Sequence, residues 1–392
     1  MTATARWITG FLIAIPALLA IHAEFPRIIH EHGLWDFGSF VASGRAAKEG
    51  LNPYGVYPLT LRVELPGFES WNPNLNPPIS AFLFQAFDVA DPYMAYQAWR
   101  WISLIFYVAT VALLVHRFSD RLQATVIALW AFALAGFWDT LFLGQIYLPL
   151  VFAGIAAWLF LERGMGLWAG ILIGIVVAMK PNFLVWPALL FLSGHRRPAI
   201  TSIVTAGTIS LIPVVIYGPK IYRQWLELVA VDGERALFLT NGSFAGLAAR
   251  AGVPSLGLLL GFLLLAALSA WALWRRPDIL TVSAMALVAA LLASPLGWIH
   301  YTLFLLPVLV RHWHRPAMHV VALLLIIPVP FIIDQLAKPA WIQLTLGSVY
   351  GWALVLCLAL LITDEWRRIR QDRMRKPSGM ALLQRECRPT AS

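Results

Sequence analysis

Residues 167–193 read LWAGILIGIVVAMKPNFLVWPALLFLS. Two apolar halves, 167–179 and 183–193, flank a Lys-Pro-Asn break at 180–182. The topology turns on how the two halves are joined. Either they are two short spans that return to one face, or they form one long kinked helix. Each half is shorter than the roughly 17–25 residues of a full bilayer span. Short spans fit where polar groups line a cavity, not where a helix faces lipid.

The rest of the chain has the same character. Of 392 residues, 60% are hydrophobic and only 12% charged, too little polar surface for a soluble domain. Apolar runs recur nearly end to end. They are continuous and do not alternate with period two, so they predict helices and exclude a barrel. The expected fold is an all-α polytopic membrane protein. The formal charge of +9 is not a nucleic-acid signal, because the basic residues sit in short loops and in the tail, as the positive-inside rule describes. Two cysteines, Cys357 in an apolar run and Cys387 in the tail, do not suggest a structural disulfide. The first run, Trp7 to Ala23, ends in IHAEF, a poor cleavage site, and is read as a retained span.

After that run the chain emerges near Glu24 and stays polar to about residue 78. This outer loop, 24–78, is far longer than a simple connection, and such loops are usually functional. It contains LWDFGSFVASGRAAKEGLNPYGVY, residues 34–57, in which Asp36 stands between Trp35 and Phe37. A small-residue helical segment, Gly38 to Glu49, comes next and ends in a turn at Gly50, Asn52 and Pro53. Ile79 to Ala90 is too short to span and is expected to dip in and return. The later runs are 99–116, 122–138, 145–161, 167–179, 183–193, 200–217, 255–274, 279–293, 299–310, 317–333 and 341–362. In this register every arginine cluster falls on one side: Arg117 and Arg121, Arg163, Arg196 and Arg197, Arg275 and Arg276, Arg311 and Arg315, and the tail. It gives about twelve spans with both ends cytoplasmic, a transmembrane domain over 1–366 and a basic, disordered tail over 367–392. The rival register lets 79–90 cross and fuses 167–193, and it puts Arg117, Arg121 and Arg163 outside.

The outer ends then collect Asp36, Asn74 and Asn76, Asp139, Gln145, Lys180, Asn241, Ser243 and His300. Each has an ordinary reading. Asp36 alone reads as a solvated or helix-capping carboxylate. Lys180 can snorkel to an interface, and His300 beside Tyr301 can sit in an aromatic belt. Gln145 and Asn241 can hydrogen-bond between helices. The functional reading rests on the set sharing one face, since polar groups at membrane depth are costly and mark pathways or sites. No nucleotide-binding glycine motif, metal-spaced His/Cys cluster or serine-nucleophile elbow is present.

Read together, these segments resemble the polyprenol-phosphate-dependent glycosyltransferases of family 87. WDFGSFVASGRAAKEGLNPYGVY is similar to that family's Asp-led first loop. NPPISAFLF, residues 76–84, resembles its Tyr-Pro-Pro segment, with Asn76 where Tyr is common. LGQIY and the Lys180-Pro181 pair resemble its Gly-Gln-Xaa-Asn and Lys-Pro block, with Tyr147 where Asn is usual. NGSFAGLAAR, from Asn241, resembles its Asn-Gln-Ser segment, and SPLGWIHY, from Ser294, its Ser-Pro…Trp-Xaa-His block. The similarity covers roughly residues 30–310, and order and spacing make the set specific. The departures bear on sugar and acceptor more than on the reaction.

The resemblance implies a GT-C type helical bundle at the inner, cytoplasmic membrane with its site on the extracytoplasmic side. Such an enzyme moves a sugar, mannose in known members, from a polyprenyl phosphate to a lipid or glycan acceptor with inversion. It implies no metal and no cofactor, the lipid-linked sugar being a substrate. Its partners would be that donor, the acceptor and membrane lipids, with no nucleic acid. An acceptor hydroxyl needs a base, and Asp36 is the candidate. The leaving phosphate needs prearranged donors, for which Lys180 and His300 are the candidates. Gln145, Asn241, Ser243, Asn76 and Tyr54 are expected at the substrate. A transporter or flippase would also use a buried lysine and broken helices, but it predicts inverted repeats, and the two halves show no convincing self-similarity. An envelope glycan polymerase or ligase shares the lipid-linked substrate but not the early aspartate.

Overall fold

The computed structural model describes residues 3–30, 33–65, 68–118 and 121–375. Of the tail expected to be disordered, residues 367–375 instead continue the last helix, which runs to Arg375, and residues 376–392, with Cys387, lie outside this range. Helix α1 (Ala3–His30) does not end near Glu24, as the apolar run suggests, but continues to His30. Glu24 and Arg27 are three apart on one helical face and pair at 2.7 Å, which lets the polar turn stay inside the protein. The outer loop therefore begins after α1. Its helix α2 (Trp35–Lys48) starts three residues before the expected Gly38 and places Asp36 in its first turn. Glycines make its inner face thin: a Cβ at Gly44 would meet backbone of residues 81–85 at about 3 Å.

Sequence reading predicts helices alone. The structure adds a small antiparallel hairpin, β1 (Leu61–Leu65) and β2 (Phe68–Asn72), with Leu61 opposite Asn72. The Leu61 N–H donates to Ser39 Oγ at 2.9 Å and fixes the hairpin on α2. Helix α3 (Ile79–Phe84) and a 3-10 turn to Phe87 come after it. At 1.5 Å per residue they extend about 14 Å, far short of a bilayer core.

Among the described residues five helical stretches are long and apolar enough to cross a membrane: Gly10–Ile29, Pro92–Phe118, Arg196–Tyr217, Pro254–Arg275 and Ala340–Gln371. Helix α4 is Pro92–Phe118. Helices α5 (Arg121–Ala133) and α6 (Ala135–Leu143) make a sixth candidate if counted as one span, bent by 45°. At the bend the Ala135 N–H leaves the helical ladder and donates to Leu325 O at 3.0 Å. Helices α7 (Tyr147–Glu162), α8 (Gly166–Met179) and α9 (Val185–Leu192) are apolar but shorter. Twelve full-length spans are therefore not what helix length supports among the described residues.

The Lys-Pro-Asn break is a reversal, not a kink. Helix α10 (Arg196–Tyr217) packs parallel to α8: Gly166 meets Pro198, Gly170 meets Thr201 and Gly174 meets Thr205. A Cβ at Gly170 would stand 2.6 Å from Thr201 Cβ and 2.7 Å from Pro198 O, so only glycine permits this seam. With α8 and α10 parallel and only 193–195 joining α9 to α10, the chain returns along α9 to the end from which α8 began. A fused 167–193 helix is ruled out.

The remaining helices are α11 (Lys220–Val231), α12 (Phe244–Arg250), α13 (Pro254–Arg275), α14 (Ile279–Leu292), α15 (Leu306–Arg311), α16 (Pro316–Leu324), α17 (Val329–Ile333), α18 (Ala340–Leu344) and α19 (Val349–Arg375). Helix α14 is central, every residue from Val282 to Leu292 being buried. Ion pairs join the basic loops at one end. Glu162 takes Arg117 at 2.8 Å and Arg311 at 3.9 Å; Asp364 takes Arg315; Asp278 takes Arg368 at 2.5 Å. His195 reaches Pro277 O at 3.0 Å. The polar candidates gather at the opposite end.

Candidate active site

Asp36 enters the site through a strained turn. Trp35 has φ +48°, a left-handed conformation costly for a bulky residue, by about 1–3 kcal/mol. Its ring packs on Phe142 with centroids 4.5 Å apart. Asp36 accepts from Asn72 Nδ2 and, at 2.5 Å, from Gln145 Nε2. The hairpin thus delivers Asn72, the last residue of β2, to the carboxylate. Asn72 is held from behind by Arg235, which also donates to Trp71 O at 2.5 Å. Gln145 is aimed by Gly144, whose φ of +67° ends α6 and whose missing Cβ lets Phe37 approach. Burial pushes the Asp36 carboxyl above its ordinary value, opposed by the bond from Gln145, the charge at His300 and the bond from Asn72.

Lys180 leaves the helical conformation ahead of Pro181 and points its ammonium into the same region. Nζ donates to Asn76 Oδ1 at 2.5 Å and to Tyr147 Oη at 2.6 Å. Tyr147 begins α7, and its ring stacks on His300 with centroids 5.0 Å apart and planes 12° apart. His300 Nε2 lies 2.8 Å from Asp139 Oδ2. Asp139 also takes Arg27 at 3.2 Å, Arg27 takes Glu24, and Glu24 accepts the Val329 N–H at 2.7 Å. A continuous polar chain therefore runs from α1 through α6 to the residues around Lys180. Asp36, Asp139 and His300 are each 4% exposed and Lys180 is 7% exposed, so this cluster is nearly dry.

Trp35 Nε1, Gln145 Oε1 and His300 Nδ1 are buried here with no hydrogen-bond partner among the described residues, and His300 Nε2 has only its ion-pair contact with Asp139. Such atoms are costly unless something satisfies them. A donor-rich and acceptor-rich ligand with several hydroxyls would do so, and the site offers such a ligand one carboxylate, Asp36, and one amine, Lys180. Among the described residues no group of three or more His, Cys, Asp or Glu is placed to hold a metal ion.

The other expected substrate residues fall in different positions. Asn76 lies in the cluster through Lys180, and its Nδ2 donates to Asn74 Oδ1 at 2.9 Å. Tyr54 stands behind it, its hydroxyl donating to Asn76 O at 3.3 Å. Asn241 and Ser243 are engaged by the fold. Asn241 Oδ1 accepts from Ser243 N and Gly297 N, and Nδ2 donates to Ala236 O and Pro295 O. Ser243 Oγ caps α12 through the Gly246 N–H and reaches Pro295 O. With their hydrogen-bonding groups occupied, both hold the 295–298 turn that leads into His300. Arg250 clamps the same region, donating to Asn241 O at 2.9 Å and Phe238 O at 3.0 Å.

Sequence reasoning assigned no role to Glu24, Arg27, Asn72, Asp139, Tyr147 or Arg235. The Glu24–Arg27 spacing at the end of an apolar run is a signal for a buried pair. Nothing local marks Asn72 or Arg235, whose roles depend on how the hairpin and the 232–237 segment meet.

No curated protein and no solved structure matches the chain. The model of glycosyltransferase family 87 matches residues 74–295, more than half of it. That stretch contains Asn76, Asp139, Gln145 and Lys180, and the fold brings Asp36 and His300 to them from either side of it. The chain belongs to glycosyltransferase family 87.

Proposed function

We propose that this membrane glycosyltransferase takes a hexose, mannose in the first instance, from a polyprenyl phosphate and passes it to a hydroxyl of a lipid or glycan acceptor. The single observation that carries this reading is the convergence of one dry carboxylate, Asp36, with one ammonium, Lys180, among buried polar atoms that lack partners. In the proposed step the acceptor oxygen forms a bond to the anomeric carbon as the bond from that carbon to the phosphate oxygen breaks. The hydroxyl proton goes to Asp36, and the bonding pair leaves with the polyprenyl phosphate. Attack opposite the leaving group inverts the anomeric centre. General-base help of this kind is typically worth 10²–10⁴-fold.

Lys180 meets the phosphate as a point charge, with greatest effect when charge develops on the departing oxygen. His300 Nδ1 adds a donor or acceptor. Gln145 bridges the halves of the site: its Nε2 orients Asp36, and its Oε1 remains for a substrate hydroxyl. The reading places this end outside the inner membrane, since the arginine-rich loops gather at the other end.

The test is transfer of radiolabelled mannose from polyprenyl phosphate mannose to membrane lipid extract by the purified protein. Label appearing in a new glycolipid or glycan supports the reading. Label that stays on the donor with a verified acceptor extract, or that only crosses vesicles, overturns it.

A further inference from the structure

At the basic end, α7, α14, α15 and α19 leave a cleft of about 390 Å³, within the range of small-ligand sites, roughly 300–1,000 Å³. It lies at the end away from Asp36. Its inner wall is apolar, with Trp158, Leu280 and Met285, while its rim carries Arg311, Arg315, Arg367 and Arg368 against the carboxylates of Asp364 and Glu365. Four guanidiniums thus crowd the rim beside two carboxylates, and Asp278 and Glu162 reach two of them from outside the cleft.

Three of the rim guanidiniums, those of Arg311, Arg315 and Arg368, lie against carboxylates. Arg315 pairs with Asp364, and Arg368 with Asp278 at 2.5 Å. Arg311 reaches Glu162 only at 3.9 Å, and Glu162 already accepts two bonds from Arg117 at 2.8 and 3.0 Å. Each guanidinium has five N–H donors in a fixed fork. At Arg311 and Arg315 one carboxylate contact aims the fork without using all five, and that planar geometry matches phosphate oxygens. An ordinary solvated cationic face would not have the apolar wall directly beneath it. A basic rim over an apolar wall, at the end of a helical bundle, has the two-part character of a phospholipid headgroup with its glycerol backbone.

We propose that this cleft binds the phosphate of an anionic phospholipid, with Arg311, Arg315 and Arg367 on the phosphate oxygens and the glycerol region against Trp158 and Met285. The site ties α15 to α19 and is separate from the chemistry at Asp36, so it stands whether or not the proposed donor is right.

The test uses the full-length protein in neutral detergent. Thermal unfolding is followed with added phosphatidylglycerol, phosphatidylcholine or glycerol 1-phosphate, and retained lipid is counted by native mass spectrometry. Phosphatidylglycerol should raise the unfolding temperature by on the order of 3–5 °C and be retained, while phosphatidylcholine should do neither. The Arg311→Gln/Arg367→Gln variant should lose that shift and the retained lipid. Arg196→Gln/Arg197→Gln, which alters exposed arginines at the same end but outside the cleft, should keep both. If the first double variant does not fold, Arg367→Gln alone should show at least half the loss. Equal stabilisation of wild type and cleft variant overturns the proposal. So does equal loss in the Arg196/Arg197 control, or glycerol 1-phosphate acting as strongly as the lipid.

Discussion

Lys180 donates to the Tyr147 hydroxyl at 2.6 Å, and the ring bearing that hydroxyl stacks on His300. The lysine and the histidine, far apart in sequence, thus share one aromatic spacer. Lys180→Met keeps the aliphatic stem and removes the charge, and turnover should fall on the order of 10²-fold or more. Lys180→Arg should not fully restore it, since a fork does not replace a point charge held by Asn76 and Tyr147. Tyr147→Phe keeps the stack and should fall by about 10-fold. His300→Ala should fall less than Lys180→Met. Thermal stability and turnover measured on one sample separate catalysis from anchoring: a merely anchoring lysine would lower stability and leave turnover per folded molecule intact.

Asp36→Asn retains shape and hydrogen bonding but cannot take a proton. The variant should insert and purify normally and lose nearly all transfer. Retention of more than about a tenth of wild-type turnover would rule out the base role at the size proposed.

The pH dependence rests on the partners of Asp36. A base must be ionised, so activity should fall as pH drops through its pKa, which burial raises above the ordinary carboxylate value. The Gln145 bond stabilises the ionised form and opposes that rise. Gln145→Leu removes it, so the acid limb of kcat/KM against pH should move to higher pH. An unchanged or downward-shifted limb would mean that another group sets it.

Arg27 lies between two carboxylates, Glu24 at 2.7 Å and Asp139 at 3.2 Å, and is mostly buried. Arg27→Met leaves both without their cation. Breaking a buried pair in this way costs about 3–5 kcal/mol, so the variant should show a clearly lower unfolding temperature and poor yield. Arg223→Met removes a largely exposed arginine paired at 3.6 Å and should change stability by less than about 1 kcal/mol.

Sidedness is accessible to labelling. In a background with Cys357 and Cys387 replaced, single cysteines at Glu64 and Asn182 should react with an impermeant thiol reagent in intact cells. Cysteines at Arg163 and Arg197 should not. The opposite pattern would invert the orientation proposed here.

The sequence made the bundle legible because arginine clusters and apolar runs are local signals. The return at Lys180-Pro181 was part of the preferred register because it keeps the arginine clusters on one side. Span count was less legible. Run lengths ignore breaks such as the one at Leu134, where a tertiary bond from Ala135 to Leu325 replaces the helical one. Asp36, Lys180 and His300 could be singled out because ionisable groups near apolar runs are conspicuous. Asn241 and Ser243 looked equally conspicuous, yet their polar atoms serve a turn more than fifty residues away in sequence. Only the fold can distinguish a polar group with atoms left unpaired from one whose atoms are taken up by backbone.

The bond that the Val329 N–H donates to Glu24 joins the first helix to one made 305 positions later. During synthesis, α1 enters the membrane long before its backbone partner leaves the ribosome. Until then Glu24 has Arg27 beside it, and Asp139 arrives next. The paired charges let α1 wait in an apolar medium, and the last partner arrives only when most of the chain has been made. Closure of this chain of contacts is therefore a late event in biogenesis: Arg27, Asp139 and His300 are all made before the Val329 N–H that completes it.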